Sequence, residues 1–173
     1  MKITDKYVFF WKEYFSNWAI SETPLEINVG GKKVTVPTSE HIFMLAKAQL
    51  FKDEEAVQKI LRAKTPREAK ELGRKVKNFD KKRWDDVSFF MMSRAVIVRF
   101  NQDKKFREML MDEKFRDKEF VEASPYDKIW GIGMAEDDPD IEDESKWKGQ
   151  NKLGQCLTIV RKGFLLVNER ALI

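Results

Sequence analysis

Apolar and polar positions change their period once along this chain, where strands give way to helices. Between Pro24 and Pro37 the apolar residues alternate: Leu25, Ile27 and Val29 before Gly30-Gly31, then Val34 and Val36. A period of two belongs to a half-buried strand, and two adjacent glycines supply the positive φ angles of a tight hairpin turn. An earlier apolar segment, Tyr7 to Trp11, adds a further strand. From Thr38 the period becomes helical. Thr38 or Ser39 caps a helix to about Leu50, and Asp53 caps a second to about Ala63. Thr65-Pro66-Arg67-Glu68 combines a cap, a first-turn proline and the glutamate of a capping box.

A long helix is expected from about Lys82 to Phe100, with Phe89, Met92, Val96 and Phe100 at core spacing, and another from about Lys104 to Met111. Lys118 to Ser124 reads as extended, and a last helix covers Asn151 to Lys162. Strands first, helices later and one late strand describe an α+β fold rather than alternating units. The expected architecture is one predominantly helical domain over residues 1–173 with a small N-terminal antiparallel β element.

Composition narrows the classes of protein. The chain has 173 residues, 42% of them apolar, with thirteen Phe and five Trp, enough for a sizeable core and unlike a disordered chain. A single cysteine, Cys156, rules out an internal disulfide framework and points to a reducing compartment. The N-terminal segment is charged throughout and has no signal-peptide pattern. No apolar run approaches the roughly 18 residues that read as a membrane span. The expectation is a soluble, cytoplasmic protein.

Net charge is +4, but seven of the nine residues from Glu136 to Glu144 are acidic. The remainder is therefore strongly basic, which suits a phosphorylated ligand or nucleic acid and equally suits mere solubility. With Pro139 inside it, the acidic stretch reads as a solvated loop.

Candidate chemistry starts in the segment Ser39 to Ala48. On a helix Glu40, Phe43, Met44 and Lys47 share one face, so a carboxylate and an amine flank two apolar residues. Charges on an apolar stripe suit a pocket, and the same spacing suits an ion pair at the rim of a core. In a pocket, a lysine with a lowered pKa is a nucleophile, and a glutamate with a raised one is a general acid. His41, the one histidine, points away from Glu40 and reads as a hydrogen-bonded structural residue. With one His and one Cys, no zinc site of ordinary ligands is expected.

A second cluster runs from Val121 to Gly133. Glu122, Asp127, Trp130, Gly131 and Gly133 combine carboxylates, a stacking ring and glycines that permit close approach of backbone to a ligand. The same loop can be a turn around a packed Trp. Arg74 offers a phosphate-binding fork, and the start of the last helix, at Asn151, could present N–H groups to an anion.

Six blocks in order resemble the YbiA-like, or NADAR, family. They are Phe15-Ser16-Asn17; the Ser-Glu-His-x-Phe-x-x-x-Lys-Ala helix from Ser39; Gly73-Arg74; Trp84 with Met91, Met92, Arg99 and Phe100; Glu122-Ala-Ser-Pro-x-Asp127-x-x-Trp130-Gly131-x-Gly133; and Asn151 to Arg161. Two departures are Met44, where many members have Gln, and the longer acidic insertion.

The resemblance implies N-glycosidase activity without a cofactor. The ribose carbon of the substrate is bonded to an exocyclic amine, as in ribosylaminopyrimidine phosphates or ADP-ribosylated guanine in nucleic acid. It casts Lys47 as nucleophile and Glu40 or Asp127 as proton donor and acceptor. Trp84 and Trp130 would then stack a base, and Arg74 and Asn151 would meet phosphates or ribose hydroxyls. Phe15, Ser16, Asn17, Met92, Glu122, Gly131 and Gly133 complete the implied binding set. Direct hydrolysis by carboxylates is the rival mechanism, and a non-catalytic reader of ADP-ribose the rival function.

Overall fold

The computed structural model describes residues 1–170, with side chains to residue 167. Its strands are β1 (Lys2–Ile3), β2 (Tyr7–Phe10), β3 (Leu25–Val29), β4 (Lys32–Val36) and β5 (Glu119–Glu122). Its helices are α1 (Ser39–Leu50), α2 (Glu54–Arg62), α3 (Pro66–Arg74), α4 (Lys81–Gln102), α5 (Lys104–Leu110) and α6 (Lys152–Arg170). The fold is α+β, as the change of period implies. Among the described residues, no helix is long and apolar enough to cross a membrane. The chain divides into two compact units, one spanning Asn17–Arg107 and the other joining Met1–Ser16 to the residues from Glu108 onward.

The Asn17–Arg107 unit starts with the β3–β4 hairpin, turned by Gly30 and Gly31 at φ 58° and 82°. Its helices begin where short side chains reach unfilled N–H groups. Thr38 accepts from the His41 amide, Asp53 from Ala56, Thr65 from Glu68 and Asp80 from Arg83. The Glu68 carboxylate reaches back to the Lys64 amide at 2.8 Å, one residue before the cap. α1 packs on α2, α3 and α4. At the far end of α4, Arg99 and Asp103 form a buried pair at 3.3 Å, with the guanidinium 4.3 Å from the Phe106 ring centre.

In the other unit, β1 pairs antiparallel with β2, and β5 joins β2 in parallel. All four β2 residues are buried. Tyr7 and Phe9 pack with Val121, Ala123, Ile132, Met134 and Ile141, while Phe15 sets its ring edge-on to Phe10, Phe115 and Phe120.

Three expectations change. α6 runs eight residues beyond Lys162, to Arg170. The short β1 was not foreseen, because two residues carry no period. The acidic stretch keeps most of its acidic side chains exposed, as expected of a solvated loop, but it is also anchored to its unit. Ile141 is buried in the core, and Trp147 donates to its carbonyl at 2.8 Å. Glu144 accepts from Lys6 at 2.6 Å and from the Tyr7 hydroxyl, Glu142 lies 3.5 Å from Lys2, and Glu136 lies 2.8 Å from the Met1 amine.

Candidate active site

α1 owes its place to its cap and to His41. The His41 ring is fully buried, with Nε2 3.1 Å from the Ala63 carbonyl and Nδ1 2.7 Å from the Thr38 hydroxyl. A carbonyl only accepts, so Nε2 carries the proton and Nδ1 accepts from Thr38. Burial pushes the imidazole below its ordinary pKa. His41 is therefore a neutral staple from the start of α1 to the end of α2, the structural role its position implies.

The opposite stripe of α1 holds Glu40 and Lys47. Glu40 is buried; its amide donates to the Asn17 carbonyl at 3.0 Å, and the Asn17 side-chain amide donates to its carboxylate. Two turns on, the Lys47 amine is half-buried, 4.2 Å from the Phe79 ring centre and 5.5 Å from that of Trp84. Among the described residues it makes no hydrogen bond or ion pair. Burial, the largest influence, pushes its pKa below the usual lysine value. The Arg74 charge acts in the same direction, and Glu40 opposes it. Arg74, at the end of α3, is exposed. Phe43, buried, backs Trp84 at 4.9 Å between ring centres.

Met44 fills the space that Gly73 leaves, since a Cβ on Gly73 would stand 2.1 Å from the Met44 sulfur. This explains the glycine before Arg74 as a contact between α1 and α3. Met92 is fully buried on α4, so it acts only through the packing behind the surface. A cavity of about 150 Å³ lies elsewhere in this unit, lined by Asp53, Glu55, Lys59, Lys75 and Lys77 among others, none of them a predicted site residue.

The second cluster is built differently. Asp127 Oδ1 accepts from the Ile129 and Trp130 amides at 2.9 and 2.8 Å, and its own amide donates to Ser124 Oγ at 3.2 Å. Carbonyls of Lys128, Ile129, Trp130 and Gly131 accept from the amides of Gln150, Lys152, Leu153 and Asn151. The first N–H groups of α6 are thus already bonded, which corrects the expectation of an anion site there. Asn151, at φ 53°, accepts from the Glu122 amide and donates to the Phe120 carbonyl, both at 3.0 Å. Gly131 sits where a Cβ would meet the Glu122 carbonyl at 2.9 Å, and Gly133 takes φ 67°. Glu122 is buried and Trp130 half-buried. Phe15 and Ser16 are buried in the same unit, Phe15 as a core ring.

Sequence reasoning missed Phe79. A signal was present: Phe79 stands just before the Asp80 cap and Trp84 four residues after it, the spacing of a hydrophobic staple.

The arrangement defines an α+β protein that carries a pre-placed amine, a buried carboxylate and a guanidinium around one helix face. The chain belongs to the NADAR family, whose domain pattern matches residues 9–165. It is 34% identical to N-glycosidase R617 of Acanthamoeba polyphaga mimivirus over 167 residues, 92% of this chain and 96% of that protein. It is 32% identical to N-glycosidase YbiA of Escherichia coli (strain K12) over 148 residues, 86% of this chain and 79% of that protein. With Protein irg-1 of Caenorhabditis elegans it shares 40% identity over 126 residues, 72% of this chain, and the match spans only 58% of that protein's length.

Proposed function

We propose that this chain is an N-glycosidase that hydrolyses the bond between a phosphorylated ribose and an exocyclic amine, with Lys47 as nucleophile. Support comes from the family, from relatives named N-glycosidase, and above all from one observation. An amine with a lowered pKa stands half-buried beside aromatic rings, with no salt-bridge partner among the described residues. Such an amine has a larger fraction in the free, nucleophilic form.

The steps follow from the substrate bond. Protonation of the ring oxygen lets the exocyclic nitrogen's lone pair open the ribose to an imine at C1. The Lys47 amine adds to C1, and the base amine departs with a proton, leaving a Schiff base between C1 and Lys47. Water adds to C1 and the Lys47 amine is expelled. The products are the free amine and the ribose aldehyde, which recloses. Glu40 donates and then recovers the proton. Arg74 is assigned to the phosphate, which a guanidinium meets through two parallel N–H groups. Asp127 and Asn151 are assigned the shaping of their own loop, because their side chains are bonded to backbone there.

The test offers a guanine-ADP-ribosylated oligonucleotide and, separately, a ribosylaminopyrimidine phosphate, beside a Lys47→Ala control. Release of ADP-ribose or ribose 5-phosphate that vanishes in the variant supports the reading and selects the substrate. Borohydride during turnover should trap a covalent adduct; turnover without an adduct would replace the Schiff base by direct hydrolysis. Failure to release sugar, with ADP-ribose still bound, would leave a non-catalytic binding module.

A further inference from the structure

Phe43, Lys47 and Phe51 lie at i, i+4 and i+8, a single line along α1 and its C-cap. Each phenyl on that line supports an outer ring. Phe43 backs Trp84 at 4.9 Å, and Phe51 meets Phe79 edge-on at 5.3 Å between centres. The lysine amine stands within 5.5 Å of both outer ring centres. The spacing of Phe79 and Trp84 around the Asp80 cap explains why both rings are held near one helix start. It does not explain why Phe79 remains 45% exposed. A ring placed only to cover a helix start has no need to stand part-exposed against a lysine amine.

We infer that Phe79 is a substrate-stacking residue that forms, with Trp84, an aromatic clamp beside Lys47 selecting substrates whose leaving amine sits on a planar base. This rests on the N-glycosidase reading for its chemistry, but the clamp itself is a binding claim. The base offers a π-face to each ring, while the sugar carbon must come within bonding distance of the amine. An alkyl amine or a bare sugar phosphate gains nothing from Phe79. The clamp therefore separates recognition of the base from recognition of the phosphate, which falls to Arg74.

Two variants isolate the ring. Phe79→Leu keeps an apolar staple and removes the π-face; Phe79→Tyr keeps the face. Calorimetric titration with a purine nucleoside 5′-monophosphate and with ribose 5-phosphate reads binding without turnover. The expected result is a purine nucleotide Kd weakened about five- to a hundredfold in Phe79→Leu, the range of one base–aromatic stack. Phe79→Tyr should match the unsubstituted protein, and ribose 5-phosphate should be indifferent to both changes. In the cleavage assay Phe79→Leu should raise KM for a base-bearing substrate with little change in kcat. Equal nucleotide affinity in Phe79→Leu, or no nucleotide binding by the unsubstituted protein, overturns the clamp. If the protein binds in this pattern yet cleaves nothing, the clamp stands and the glycosidase reading falls. If it cleaves with Kd and KM untouched by Phe79→Leu, the reverse holds.

Discussion

The α1 stripe and the loop after β5 contain similar residue types, and the fold uses them in opposite ways. In α1 the backbone is satisfied by the helix itself, so Lys47 is left to project an amine. In the loop, by contrast, backbone groups outnumber regular partners, and polar side chains are consumed in satisfying them. Asp127 binds two amides, while Asn151 bridges a carbonyl and an amide of β5. The glycines differ in the same sense. Gly73 makes room for a flexible side chain, Met44, while Gly149 and Gly154 make room for carbonyls of Gly131 and Phe120. Reactive groups are best carried on an element that needs nothing from them.

The largest expected effect lies on the helix. Lys47→Ala should lower turnover by at least about a thousandfold, as loss of a nucleophile does. It should change the urea midpoint little, because the amine makes no hydrogen bond or ion pair among the described residues and only ring contacts with Phe79 and Trp84 are lost. A fall in both would return Lys47 to a structural role.

In the loop's unit the order reverses, with stability lost first. Gly154→Ala would place a Cβ 2.1 Å from the Phe120 carbonyl. That collision with backbone should cost about 3 kcal/mol or more, read by urea denaturation. Asn151→Ala strips partners from two buried backbone groups and should cost about 2–4 kcal/mol. Asn151→Gly tolerates the positive φ but loses the same bonds, so the difference between the two variants sets the strain of the positive φ against glycine's greater unfolded-chain freedom. Gly73→Ala, whose new Cβ meets a thioether that can swing aside, should cost only about 1–2 kcal/mol. A cost equal to that of Gly154→Ala would erase the distinction between the two regions.

Smaller effects are expected from charge. Arg74 holds the Lys47 pKa down, so Arg74→Gln should let it rise. The pH at which turnover climbs to its plateau then moves to higher pH, measured in kcat/KM profiles. The His41 staple gives a separate signature. Its folded-state pKa lies below the ordinary 6.5, so the unfolded chain binds more protons once pH falls below about 6.5. Stability from this group is complete above that value and is lost as pH drops toward and through the folded pKa. In His41→Gln that part of the pH slope should vanish, although the variant starts less stable.

Much of this was legible in the residues. Thr38, Asp53 and Thr65 cap their helices because each bonds an amide three positions on, a contact contained in a few residues of sequence. The hairpin at Gly30-Gly31 and the common face of Glu40 and Lys47 are local in the same way. Family membership was legible too, because six short blocks keep their order along the chain.

What the sequence could not determine depends on partners far along the chain. β2 pairs with β5 across more than a hundred positions, and Asn151 reaches the Glu122 amide across 29. The α6 amides look free until the loop carbonyls are seen to bind them. The acidic stretch looks unattached until Lys2 and Lys6 are found beside it. Phe79 looks like a residue between helices until its ring is placed against the Lys47 amine. Local hydrogen bonds and periodicity are written in neighbouring residues, whereas the use of a polar group or an open ring face depends on what the folded chain sets against it.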